Sequence, residues 1–172
     1  QALGQELGAD VVAPDAIMSL GCDVFSPNAL GAILNDEGIA RLDCAIVAGG
    51  ANNQLKRPEH GPMLAQRGIL YAPDYVINAG GIINAAHELD GVYRPERARE
   101  VTERIFETTS RVIATSREEG VPTYVAANRL AERRIESVRN LVNGKTAAVL
   151  IEAIQCEGGI RIADHEFLRS LR

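Results

Sequence analysis

Tyr71-Ala-Pro-Asp-Tyr-Val-Ile-Asn-Ala-Gly-Gly-Ile-Ile-Asn84, preceded by Gly68-Ile-Leu, is the stretch whose reading decides the fold. Its first part reads as the end of an apolar strand, which Pro73 stops because a prolyl nitrogen cannot donate to a ladder. Its second part, Asn78 to Leu89, predicts a helix whose start carries two glycines. A helix start exposes unpaired N–H groups, and Gly80 and Gly81 have no side chain to hold a ligand or another backbone away. A strand that turns directly into such a helix is where open α/β sheets bind ligands. Two readings of the glycine pair stay open on spacing alone: close approach of a ligand, or tight packing of helix on strand.

Working outward, Cys44-Ala-Ile-Val-Ala48 is a short apolar run bounded by a polar turn and two glycines, the pattern of a parallel strand covered on both faces. Ala9–Ala13 and Cys22–Phe25 read as further strands. Helices are predicted at Gln1–Leu7, Ala29–Leu34, Asn35–Ile39, Glu59–Gln66, Arg94–Glu119 and Ala126–Asn140, with a short turn at Asp15–Met18. Pro95 falls in a first helical turn, where proline is favoured. Val101, Ile105, Thr108, Val112 and Thr115 recur at helical spacing and predict one buried face. Strands alternating with helices give a doubly wound, three-layer α/β domain with a mostly parallel sheet and helices on both faces. The last thirty or so residues read as an appended β–loop–α unit: a strand at Ala147–Ile151, a loop at Cys156–Gly159 and a helix at Asp164–Leu171. The chain thus divides into residues 1–140 and 141–172.

Composition narrows the function. The 172 residues are 46% hydrophobic and 24% charged with no Trp, ordinary for one globular domain. A net charge of −5 argues against nucleic acid and against an anionic membrane surface. No apolar run has the length of a membrane span and no signal peptide is visible, while Gln rather than Met at position 1 suggests a piece of something longer. Three cysteines without a Cys-x-x-Cys point to reduced thiols and a cytoplasmic setting, with Cys22 and Cys44 expected as small buried hydrophobes in strands.

His60, His87 and His165 share no metal-ligand spacing, so no metal is expected. Lys56, one of two lysines, reads as a surface residue. No Gly-x-Ser-x-Gly, His-Glu-x-x-His or P-loop occurs. Gly-x-Gly-x-x-Gly is also missing, and with it the loop that would hold a dinucleotide pyrophosphate.

Three loops should lie side by side at the carboxyl edge of a parallel sheet: Ser26–Leu30, Gly50–Gln54 and Asp74–Asn78. Asn52, Asn53 and Asn78 would then bring amide donors and acceptors together for a carboxamide, ribose or carboxylate. Asparagine beside glycine is also a turn former, and for Asn52 alone that reading is the simpler one.

Cys22-Asp-Val-Phe-Ser-Pro-Asn-Ala-Leu-Gly31, Ala51-Asn-Asn-Gln-Leu-Lys56, Tyr71–Asn84 and Pro122-Thr-Tyr-Val-Ala-Ala-Asn-Arg-Leu-Ala-Glu132 together resemble the leucine, valine and phenylalanine dehydrogenases, the leucine enzymes most of all. The resemblance runs from about Gln1 to Asn140 and covers the later part of their Rossmann-like cofactor domain. It implies NAD as cofactor, with oxidative deamination of branched-chain amino acids. The substrate domain, with its catalytic lysines and aspartate, is absent, so no catalytic residue is assigned.

By position Ala29, Ala51, Asn53 and Asn78 match the family's contacts to the nicotinamide side of the cofactor, and Asn53 also lies near the substrate's amino-acid group. Ile82 and Ala85 match the pocket for the substrate side chain. Ala85 stands where valine is usual, which would widen that pocket, and Asn28 stands where cysteine is common. Thr146–Leu171, with Glu157-Gly-Gly159, resembles class III pyridoxal-phosphate aminotransferases, with Ala153 and Cys156 in place of the usual Pro and Gly. The join suggests a recombined chimera whose appended strand closes a sheet edge left open, or a homodimer. The isolated chain is expected to be inactive, and the rival reading is a non-catalytic α/β scaffold with no retained ligand site.

Overall fold

The computed structural model describes residues 2–89, 93–141, 154–155 and 161–162. Helix α1 (Ala2–Leu7) and a 3-10 turn (Ile17–Ser19) precede strand β1 (Gly21–Phe25). Then follow α2 (Asp36–Arg41), β2 (Asp43–Val47), α3 (His60–Gln66) and β3 (Leu70–Tyr71). The three strands form one parallel sheet in the order β1-β2-β3, with Phe25 beside Val47 and Val47 beside Tyr71. Their carboxyl ends therefore lie level on one edge.

Local chemistry explains the elements. The Asn35 side chain accepts the Gly38 N–H at 2.9 Å and caps α2, whose first turn carries Asp36 and Glu37. Beyond α3, Gly68 adopts a left-handed conformation that a side chain would strain. Phe25, Val47, Ile69 and Tyr71 pack with Met18, Leu34, Ile39, Leu42 and Leu64 in the main core, so the 3-10 turn, α2 and α3 are held to the sheet by apolar burial. A second cluster joins α4 (Asp74–Ile77), α6 (Pro95–Glu119) and α7 (Thr123–Leu141) through Tyr75, Val76, Val112, Ala126, Ala127 and Leu130. Helix α5 (Gly80–Leu89) lies against α6. Val112 and Thr115 are buried on α6, as their spacing predicts. Among the described residues no helix is long and apolar enough to cross a membrane.

Several expectations are corrected. Ala9–Ala13 is not a strand: no ladder partner lies beside it among the described residues, and Val11 is exposed. Ala29–Leu34 is not a helix, because its backbone bonds sideways instead. Ala32 N–H donates to Asn53 O at 2.7 Å and Leu34 bridges Leu55. The helix expected from Asn78 begins at Gly80, and α4 precedes it. Helix α7 begins at Thr123, not Ala126. Cys22 is exposed and Cys44 half-buried rather than both buried, and among the described residues β1 is a sheet edge. In the tail, β4 (Ile154–Gln155) and β5 (Arg161–Ile162) pair antiparallel, while the strand, loop and helix expected at 147–151, 156–159 and 164–171 lie outside the described residues.

Leu64 is fully buried where α3 meets the sheet. Leu64→Ala should therefore cost about 2–5 kcal/mol in urea unfolding, whereas a truncation at exposed Phe106 should cost under about 0.5 kcal/mol.

Candidate functional site

The three loops do meet. Ala51 N–H donates to Pro27 O at 2.9 Å, and Gly50 N–H to Asn28 Oδ1 at 2.7 Å, joining the first loop to the second. Asn78 Nδ2 donates to Gly50 O at 2.7 Å and to Asn52 Oδ1 at 2.6 Å, joining the third. Such close seating needs bare backbone: a Cβ on Gly31 would lie 2.6 Å from Asn52 O, and one on Gly49 only 2.2 Å from Pro27 O. Asn52 is thus more than a turn former, since its amide oxygen holds the third loop.

Beneath this rim lies a buried polar group that sequence reasoning missed. The Asp74 carboxylate accepts the Tyr71 hydroxyl at 2.5 Å on Oδ1 and the Asn53 N–H at 2.8 Å on Oδ2. Asn53 has φ +52°, a left-handed conformation unusual for a residue with a side chain. Both its backbone groups are bonded, N–H to Asp74 and carbonyl to Ala32, so the exposed side chain is aimed by fixed backbone. Burial first, and then the Asp74 charge, hold the Tyr71 phenol protonated well above the usual tyrosine range.

The support continues downward. Thr123 Oγ1, in the first turn of α7, donates to Tyr71 O, and Tyr75 Oη donates to Asn128 Oδ1 at 2.9 Å. Fully buried Gln54 donates through Nε2 to Gly49 O at 2.6 Å and Ala51 O at 2.9 Å, bracing the second loop from inside. The signal available for Asp74 was a carboxylate three residues beyond an apolar strand end, in a segment with no cation to pair it.

Each expected site residue has a clear place. Asn53 and Asn78 stand on adjoining loops of the rim, and exposed Ala29 follows Asn28 on the first loop. Ala51 is buried, with its backbone committed to Pro27 and Gln54, so it lies within the rim's support. Ile82 and Ala85 are exposed and three residues apart on α5, where they share a face. A Cβ on Gly81 would meet nothing within 4 Å, and one on Gly80 only Thr102 Cγ2 at 3.7 Å. Close packing within the described residues therefore does not require the glycine pair.

His60 is buried, and its Nδ1 accepts the Arg57 N–H at 2.9 Å. Among the described residues no three His, Cys, Asp or Glu side chains gather in a way that could hold a metal ion. Lys56 is exposed, as expected.

The sequence profile of the Glutamate/Leucine/Phenylalanine/Valine dehydrogenases matches residues 3–141. The chain belongs to this dehydrogenase family. It is 56% identical over 135 residues to the leucine dehydrogenase of Thermoactinomyces intermedius, covering 78% of this chain and 37% of that one. The L-tryptophan dehydrogenase structure from Nostoc punctiforme superposes with a TM-score of 0.77 at 46% identity, covering 81% of this chain and 42% of that chain. A hetero-hexameric glutamate dehydrogenase from Thermus thermophilus, at 22% identity and TM-score 0.62, shares the fold, over 84% of this chain and 37% of that one. The chain thus spans well under half the length of these dehydrogenases. The family supplies the NAD(P)-type dehydrogenase setting in which the rim is to be read.

Asp74→Ala would leave the Tyr71 hydroxyl as a buried donor without its acceptor, costing about 1–3 kcal/mol, and would release the part-buried Asn53 N–H. Denaturant unfolding should show that loss. The raised Tyr71 pKa contributes stability that is present below about pH 10 and is lost as pH rises through the folded value. Ultraviolet titrations of the wild type and of Tyr71→Phe should accordingly coincide up to about pH 11, because the Tyr71 phenol is still protonated there.

Proposed function

We propose that this chain carries the nicotinamide-facing rim of an amino-acid dehydrogenase acting on branched-chain substrates. The observation that carries the reading is the joining of the Asn28, Gly50–Asn53 and Asn78 loops at the carboxyl edge of a parallel sheet. Asn53 and Asn78 would address the nicotinamide carboxamide and ribose, with Ala29 packing on the ring and Ala51 supporting from within. The residues fit that role: the Asn53 side chain carries no hydrogen bond among the described residues, and the Asn78 amide carbonyl remains as an acceptor.

When bound, NAD would supply the hydride acceptor; the chain's own contribution is to orient the ring and keep one side dry. Ile82 and Ala85, on the shared face of α5, would line the substrate side-chain pocket, and Asn53 would reach the amino-acid group. Alanine at position 85 favours branched side chains over a narrower fit, in keeping with the likeness to leucine dehydrogenases. The described residues hold no base, substrate-carboxylate cation or pyrophosphate loop at this rim, so hydride transfer is not expected from this chain alone. We further propose a cytoplasmic setting and a homodimer as the assembly. Residues 141–172 are proposed as an appended unit, with aminotransferase-like residues that carry no transaminase chemistry.

Titrating NAD into 15N-labelled protein should shift the side-chain amides of Asn53 and Asn78 saturably in the millimolar range, about 4 kcal/mol of binding. Addition of L-leucine should produce no NADH. Silence at both amides would favour a scaffold without a ligand site, and leucine-dependent NADH from pure protein would overturn the inactive reading.

A further inference from the structure

The parallel register sets Cys22 of β1 directly against Cys44 of β2. Paired residues on neighbouring strands point to the same face, and the strands run about 4.8 Å apart. That is inside the Cα separation of roughly 4.4–6.8 Å that a disulfide spans. Cys22 is exposed and Cys44 half-buried. We propose that Cys22 and Cys44 form a cross-strand dithiol site that takes thiophilic reagents: small disulfides, which oxidise it, and trivalent arsenic, which it chelates. This inference stands apart from the nicotinamide rim, which lies at the other end of the strands.

The order of events follows from exposure and charge. The Cys22 thiolate attacks first, because solvent reaches it, and forms a mixed disulfide as one thiol leaves. The Cys44 thiolate then attacks the Cys22 sulfur and expels the second thiol. Two protein thiols are oxidised, one small disulfide is reduced to two thiols, and the two thiol protons end on the leaving groups. Burial, and the neighbouring Cys22, keep the Cys44 thiol protonated above the usual range, so the second step is the slower.

Closing the bond needs Cβ atoms about 3.8 Å apart, shorter than the strand spacing, so β1 must move toward β2 by about 1 Å. An edge strand can do so, and the product is a strained, readily reduced disulfide.

The test treats the reduced full chain with limiting cystamine, then alkylates and maps the peptides by mass. The expected product has lost two hydrogens, links Cys22 to Cys44 and leaves Cys156 alkylated. Cys44→Ser should stop at a mixed disulfide on Cys22. One equivalent of phenylarsine oxide should protect both thiols from alkylation, releasing one water. In denaturant the preference for this pair should vanish. The proposal is overturned if wild type accumulates a stable mixed disulfide on Cys22 with Cys44 free, or if the linked pair includes Cys156. It is equally overturned if phenylarsine oxide leaves Cys22 alkylatable, or if the Cys22–Cys44 preference persists in denaturant.

Discussion

One buried carboxylate holds the candidate site together. Asp74 accepts one hydrogen bond from the Tyr71 hydroxyl at the end of β3 and one from the Asn53 N–H on the neighbouring loop. Taking a carboxylate out of water is costly, and here two donors offset that cost without a cation. In return the loop is held where Asn53 must adopt a positive φ, a conformation a free chain would leave. The orientation of an exposed amide of the rim thus depends on a buried residue.

The rest of the architecture makes that bond possible. Parallel pairing brings Phe25, Val47 and Tyr71 level, so the loops that follow them emerge together. Helix α7 fixes the underside through Thr123 and Asn128, and Gln54 braces the central loop from within. Glycines at 31 and 49 permit backbone contacts that any side chain would break. At position 81 the same residue type faces open space, and at position 80 only Thr102 Cγ2 lies in ordinary contact distance, so room is left for another group. Identical residues therefore carry opposite meanings, decided by what surrounds them.

Much of this was legible from the sequence. The apolar run at 44–48, the Pro95 start of α6 and the meeting of the Asn52 and Asn78 loops follow from local patterns and from the logic of parallel sheets. The failures share a cause: non-local bonds won over local propensity. Residues 29–34 have helical composition, yet their N–H groups bond to the Asn53–Gln54 segment. Ala9–Ala13 is apolar enough for a strand, but a strand forms only beside a partner. Asp74 was in view from the start and its role was not, because nothing in a linear pattern says that Tyr71 and Asn53 will face it from two sides. Cys22 was misread as buried because a place in a strand was equated with burial, whereas among the described residues β1 has a neighbour on one side only.

The central claim is that this rim, preset by Asp74, faces nicotinamide. The most direct measurement is of intermolecular nuclear Overhauser effects between the protons of bound NAD and the protein. The account predicts cross-peaks from the nicotinamide ring to the Ala29 methyl and to the side-chain amides of Asn53 and Asn78. Cross-peaks confined to residues at the opposite end of the strands, or made only by the adenine ring, would contradict it.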